Sequence, residues 1–307
     1  MAAGVAAPLV RRRARLPKVA VTAATVAAPM ALTVARRRSV ERDVVVCMLQ
    51  MWAYVAHYEM PNDDPEALEA KVRVDYPVRG DRVLGAGELP GVRLQRLLAD
   101  DGVLRSRWAA EGRTRRLRLA RRLEVALCWS HWVWFFVPHA TLAYVLVRDR
   151  EAFARAALLT YATFDLGVCF YWVLPTAPPW YAAAVGRAPA MRRLMVERGA
   201  EVWGDRWEPL YGSLGGNPLA AFPSLHFATS VMASRVLADL GPVPGAIGTA
   251  YAAALGFALV YLGEHYVVDL LAGLGLAIGV RRLGPRATPA LRAASAGLQR
   301  LQRAALA

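Results

Sequence analysis

The sequence predicts an all-α polytopic membrane protein built as a six-transmembrane-helix bundle, and three observations lead there. Of its 307 residues, 56% are hydrophobic and 20% charged, an unusual balance for a soluble domain of this size. The apolar residues gather into runs nearly free of charge: Leu123 to Val147, Ala152 to Leu174, Leu219 to Leu240, Val243 to Gly263 and Tyr266 to Val280. Most of these reach the roughly 20 residues a helix needs to cross the hydrocarbon core. Arginines collect beside the runs, as expected where anionic lipid and the positive-inside rule act.

Taken in order, residues 1–39 form a basic N-terminal tail. Its apolar stretch, Val19 to Ala35, lies between Arg11–Arg13 and Arg36–Arg38. A cleavable signal has no such second arginine block and needs a polar cleavage region, so a loosely ordered or surface-lying tail is the preferred reading. Residues 40–58 are the first span, long enough only if Arg42 and Asp43 near its end are included. Residues 59–122 form a polar connection, rich in Pro, Gly and mixed charge around Pro61 to Pro90 and arginine-rich and amphipathic from Arg105 to Arg122. That last stretch reads equally as a helix lying on the membrane or as a solvated lead into the next span. Residues 123–283 hold a five-helix catalytic membrane core, and residues 284–307 a basic C-terminal tail.

The formal net charge of +14 raises the question of nucleic acid. The excess sits beside apolar spans and no nucleic-acid motif accompanies it, so attraction to anionic lipid and orientation in the membrane explain it, and the membrane is the expected partner. Cys47, Cys128 and Cys169 lie in apolar runs and are odd in number, which fits small buried hydrophobes and not a disulfide framework. Arg148, Arg150, Arg155, Arg235, Arg281, Arg282 and Arg286 fall on one side of a six-span topology, which the positive-inside rule makes cytoplasmic. Arg113 to Arg122 then fall outside, in a long loop, where the rule is weak. The expected location is the plasma membrane, with Pro175 to Ala221 and Gly263 to His265 on the extracytoplasmic side.

Of five histidines, His57 ends a span, and His131 and His139 sit among Trp129, Trp132, Trp134, Phe135 and Phe136, a pattern that reads as an interfacial belt. His226 and His265 have more pointed surroundings. Pro223 and Ser224 suit a helix start, whose unpaired N–H groups and dipole form an anion site. His226 lies one turn inside it. His265 and Asp269 are four apart, hence on one helical face, where the carboxylate can fix the imidazole tautomer and leave the other nitrogen free to attack. An ionisable pair in an apolar span is expensive and points to function. A metal held by these three and Glu264 is the competing reading, but no His-Glu-x-x-His or Cys cluster supports it. Asp165, inside the third span, is expected to face the bundle interior.

Pro-Ser-Leu-His (223–226), followed some forty residues later by His-Tyr-Val-Val-Asp (265–269), resembles the type 2 phosphatidic acid phosphatase superfamily, and more closely its inositol phosphorylceramide synthase branch. Leu174 to Tyr181 and Asn217 to Phe222 resemble conserved segments of that branch, and the likeness covers roughly residues 121–283. It implies a six-helix membrane enzyme working through a phosphohistidine without metal or other cofactor. His265 would be the nucleophile, Asp269 its orienting carboxylate, and His226 the acid and then base. The Lys and Arg usual in the family's first motif are absent, and Ala258 and Leu259 stand where a Ser-Arg pair is common. Positive charge must then come from elsewhere: from backbone amides at Ser224, or from Arg187, Arg192, Arg193, Arg198 or Arg206 in the outer loop. Ser224, Trp180, Tyr181 and Arg187 are the candidate substrate-binding residues, although the aromatic pair also suits a loop anchor. The function expected is that of a lipid phosphatase or phosphotransferase. The alternatives are an inactive lipid-binding scaffold, suggested by the missing cations, and a transporter, for which no internal repeat speaks.

Overall fold

The computed structural model describes residues 1–99, 110–214 and 216–306, and these are helical, with no strand among them. Helices α1 (Ala2–Val10), α2 (Lys18–Ala35) and α3 (Val40–Glu59) lead into three short helices, α4 (Pro65–Glu69), α5 (Asp75–Leu84) and α6 (Pro90–Leu98). There follow α7 (Ala110–Trp132), α8 (Val137–Arg148) and α9 (Arg150–Val173), then the short α10 (Pro179–Ala184), α11 (Leu194–Trp203) and α12 (Trp207–Leu214). The last three are α13 (Leu225–Leu240), α14 (Pro242–Tyr261) and α15 (Val267–Leu306).

Local chemistry sets several boundaries. Asp149 caps α9, accepting from the N–H groups of Glu151 and Ala152 at 3.1 and 3.0 Å. Ser39 does the same for α3 through Arg42 N–H at 3.2 Å. Each satisfies an otherwise orphaned donor of a first turn.

Three of the helices are long and apolar enough to cross a membrane: α2, α9 and α14. That count does not reproduce six spans. The apolar run Leu123 to Val147 is divided by a 3₁₀ turn at Val133–Phe135, because Pro138 has no N–H for a continuing helix and its ring crowds the preceding turn. Residues 18–35 are also not loose. They form a helix with Val21, Thr25, Ala28 and Leu32 buried, and Thr25 Oγ1 lies 3.2 Å from His57 Nε2 on α3. Arg11 ties the tail down further, reaching Asp63 and Glu59 at 2.9 Å each. The C-terminal tail likewise continues α15 in one helix through Pro285 and Pro289. Of the amphipathic stretch, Arg105 to Ala109 lie outside the described residues.

The bundle core is made by α3, α8, α9, α13, α14 and α15, with Phe164, Leu225, Met232, Leu255 and Leu259 all but inaccessible. Asp165 faces α3, where Gln50 Nε2 donates to it at 2.8 Å. At one end the connection 59–99 and the segment 174–223 fold together. Thr176 bridges Arg73 and Ala220. Gln95 donates to the carbonyls of Arg192 and Tyr261 at 2.8 Å each and accepts from Arg192 N–H at 2.9 Å. Buried Arg198 on α11 donates to Glu124 on α7 at 2.6 Å, and Tyr261 donates to the other carboxylate oxygen at 2.9 Å. Asp81, on α5, accepts from the N–H groups of Val267 and Val268 at 3.0 and 2.9 Å. It thereby supplies from a distant segment the acceptor that the first turn of α15 lacks.

Two measurements check this brace. Arg198→Met strands a buried carboxylate and is expected to cost about 3–5 kcal/mol, read as a fall in Tm in detergent. Adding Glu124→Gln should recover much of that loss. Burial pushes the Asp81 carboxyl up to about 6, against the pull of its two N–H donors. The folded protein therefore takes up a proton there between roughly pH 6 and the ordinary value near 3.8. The stability due to Asp81 is greatest below that window and diminishes as pH rises through 6. The difference in Tm between wild type and Asp81→Asn is expected to shift in that sense between pH 4 and 7, as a thermal melt series would show.

Candidate active site

Phe222–Pro223 is a cis peptide, and Pro223 leads into Ser224, the N-cap of α13, whose hydroxyl accepts from Phe227 N–H at 3.3 Å. One residue into the helix, Leu225 turns into the core and His226 turns out of it. At the neighbouring end, α14 closes in a turn at Gly263, whose φ of +85° suits a residue without a Cβ. His265 then precedes α15. Two chain segments distant in sequence are thus brought side by side.

They are held there by one carboxylate and its own backbone. Asp269 is fully buried. Its Oδ2 accepts from Tyr266 N–H at 2.9 Å and lies 3.3 Å from His265 Nδ1. Its carbonyl oxygen accepts from Ser224 N–H at 3.0 Å. The close approach depends on Gly273, because a Cβ there would stand 2.5 Å from Ser224 O. The second ring nitrogen of His265, Nε2, lies 3.4 Å from His226 Nδ1. His226, His265 and Asp269, chosen on spacing alone, therefore form a contiguous chain from buried carboxylate to open cavity.

His226 is itself sandwiched. The Trp134 ring centroid is 4.1 Å away on one side and that of His131 is 4.7 Å away on another. Trp134 is fixed by donating to Thr229 Oγ1 at 2.9 Å. His131 is buried, and its Nδ1 has no hydrogen-bond partner. The sequence reading placed His131 in an interfacial belt; the structure places it against His226. His131 lies in the last turn of α7 and Trp134 in the 3₁₀ turn that follows; both are buried, while Val133 between them is exposed. The signal was available, because His131 is an ionisable group in an apolar run, the same ground on which Asp165 stood out.

These groups open onto a cavity of about 600 Å³ lined by His226, His265, Glu264, Arg193 and a wall of tryptophans, among them Trp180, Trp132 and Trp203. The other predicted binding residues divide. Trp180 lies on the cavity wall with the Arg193 guanidinium 4.0 Å from its ring centroid, and Tyr181 packs edge-on behind it. Ser224 is buried in its cap and does not reach the cavity. Arg187 is exposed and pairs with Asp75 at 3.1 and 2.5 Å. Arg192 bonds Glu197, and Arg198 bonds Glu124 and Glu201. Arg193 is the outer-loop arginine that the cavity receives among the described residues.

Residues 103–283, well over half of the chain, match the PAP2 superfamily. The chain belongs to that superfamily. Within it, the chain is 30% identical over 139 residues to phosphoinositol dihydroceramide synthase of Bacteroides thetaiotaomicron, a match covering 43% of this chain and 45% of that one. It is 29% identical over 161 residues to the inositol phosphorylceramide synthase catalytic subunit of Schizosaccharomyces pombe, covering 48% and 37%. It is 32% identical over 123 residues to inositol phosphorylceramide synthase of Candida albicans, covering 38% and 26%. The matches thus span less than half the length of these relatives. No solved structure matches the chain. With its apolar helices, membership of the superfamily makes this an integral membrane protein.

A cap and a ligand contact respond differently to mutation. Ser224→Ala is expected to cost about 1 kcal/mol of stability, seen as a lower Tm. Binding of a phosphate probe to the cavity, followed by tryptophan fluorescence, should be little changed.

Proposed function

We propose that this chain is a membrane lipid phosphatase or phosphotransferase that acts on a lipid-linked phosphoester through a phosphohistidine. The observation that supports it best is the ordered chain Asp269–His265–His226, ending at the cavity with two ring nitrogens 3.4 Å apart. Asp269 holds the Nδ1 proton of His265, which leaves the Nε2 lone pair directed at the cavity. Nε2 attacks phosphorus, the P–O bond to the leaving group breaks, and His226, protonated, gives its proton to the departing oxygen. In the second half, water or an alcohol attacks the phosphohistidine. His226 takes the nucleophile's proton, and His265 leaves with its electron pair. Arg193, one of the five outer-loop arginines the sequence offers for this part, provides the charge that the phosphoryl oxygens require. Trp180 holds Arg193 from beneath, as a cation over an aromatic face.

Water as acceptor makes the protein a phosphatase and a lipid or polyol alcohol makes it a transferase; the three relatives are all named as synthases, which favours transfer. Arg148, Arg150 and Arg155 around the start of α9 and Arg281, Arg282 and Arg286 on α15, read with the positive-inside rule, favour an active site on the extracytoplasmic side of the plasma membrane. The alternative of an inactive lipid-binding scaffold rested on missing cations, and Arg193 in the cavity weakens it.

Purified protein should turn over one or more members of a panel of lipid phosphates, polyprenyl phosphates and phospholipids in the presence of a chelator. His265→Ala is expected to remove at least about 10³-fold of that activity, and Asp269→Asn about 10²–10⁴-fold, as when an orienting carboxylate is lost from a catalytic histidine. A ³²P label retained on His265 after acid-free denaturation would trace the intermediate. Full turnover by His265→Ala, or activity abolished by chelator, would defeat the proposal. Product that depends on added alcohol would select transfer.

A further inference from the structure

Arg193 is not an open cation. Its Nε and Nη2 lie 3.0 and 3.2 Å from the two carboxylate oxygens of Glu264, so both oxygens are engaged. It also donates to the Tyr211 hydroxyl. Glu264 immediately precedes His265, lines the same cavity, and has a side chain only 10% exposed. Its own backbone N–H donates to Leu259 O at 3.0 Å, so its main chain is held at the cavity while Arg193 holds the carboxylate. Among the described residues, Arg193 and Glu264 are the only Arg, Lys, Asp or Glu side chains on the cavity wall. Their formal charges cancel, so the positive charge left on the wall is the one His226 carries when it is protonated.

The electrostatics that follow differ from those of a pocket walled by several cations. In a site of low effective dielectric, each further negative charge within a few ångströms of a carboxylate is opposed steeply. A phosphomonoester carries about −1.5 to −2 near neutral pH, whereas a phosphodiester carries a single charge. The rest of the wall is mainly aromatic and apolar, and among the described residues it brings no second Arg or Lys to neutralise a second charge.

We propose that Glu264 is the specificity-determining residue of this pocket, a fixed negative charge that occupies Arg193 and makes the site favour a monoanionic phosphodiester over a dianionic phosphomonoester. The proposal rests on the reading of the cavity as a phosphate site, and it deepens that reading by naming the class of phosphate. Arg193 remains the cation that meets the phosphoryl group. A monoanion can share it with Glu264, whereas a dianion must expel the carboxylate.

The test uses the full chain in detergent at pH 8, with tryptophan fluorescence as the binding signal and inorganic phosphate and diethyl phosphate as probes. Wild type is expected to bind diethyl phosphate at least as tightly as inorganic phosphate. In Glu264→Gln, inorganic phosphate should tighten by about tenfold or more, with diethyl phosphate changing by less than about threefold, because only the dianion gains greatly from removing the repulsion. Glu264→Asp keeps the charge and should keep the wild-type preference even if its contact to Arg193 lengthens. The proposal is overturned if Glu264→Gln shifts both probes equally or neither, if Glu264→Asp behaves as Glu264→Gln does, or if wild type binds neither probe. A second arm compares turnover of phosphatidate, a monoester, with that of phosphatidylglycerol, a diester. If wild type turns over neither while the binding preferences hold, the enzymatic reading falls and the charge selection stands.

Discussion

The arrangement depends on a carboxylate that has been taken out of water. Asp269 is inaccessible, and a buried charge is tolerated only with close partners. It finds them in Tyr266 N–H and His265, while its backbone carbonyl receives Ser224 N–H. This one residue therefore joins His265, the start of α15 and the start of α13. Its carboxylate holds the first two and its backbone carbonyl the third, although α13 and α14 lie between the two motifs.

The extramembrane connection has a larger part than its composition suggests. Its carboxylate Asp81 completes the first turn of α15, and its amide Gln95 joins the outer loop to the end of α14. Both lie before the stretch that matches the superfamily. A segment outside the matched stretch thus bears on how rigidly the cavity is held, since preorganisation at a site depends on the groups behind it.

Much of the site was legible from residue spacing. The four-residue interval from His265 to Asp269 and the Pro-Ser start before His226 each have a geometric meaning that needs no tertiary information. What spacing does not carry is the pairing of distant side chains. Five outer-loop arginines look alike in sequence, and only the fold shows that Arg187, Arg192 and Arg198 meet carboxylates away from the reacting groups while Arg193 enters the cavity. His131 was passed over because a run of aromatic residues fits a membrane interface as well as a cavity wall. The break at Val133–Phe135 was hidden for a related reason: hydropathy runs straight through Pro138, whereas the helix does not.

α15 has 40 residues and at 1.5 Å per residue extends roughly 60 Å. Its first turn carries Asp269. Near its other end, Gln302 donates to the carbonyls of Thr33 and Arg36 at 2.8 and 2.5 Å, where α2 terminates. One continuous helix therefore carries both the backbone carbonyl that meets Ser224 N–H at the start of α13 and the amide that closes on the end of α2. The register of α15 is set at both of its ends, by the cavity side of the bundle at one and by the N-terminal helices at the other.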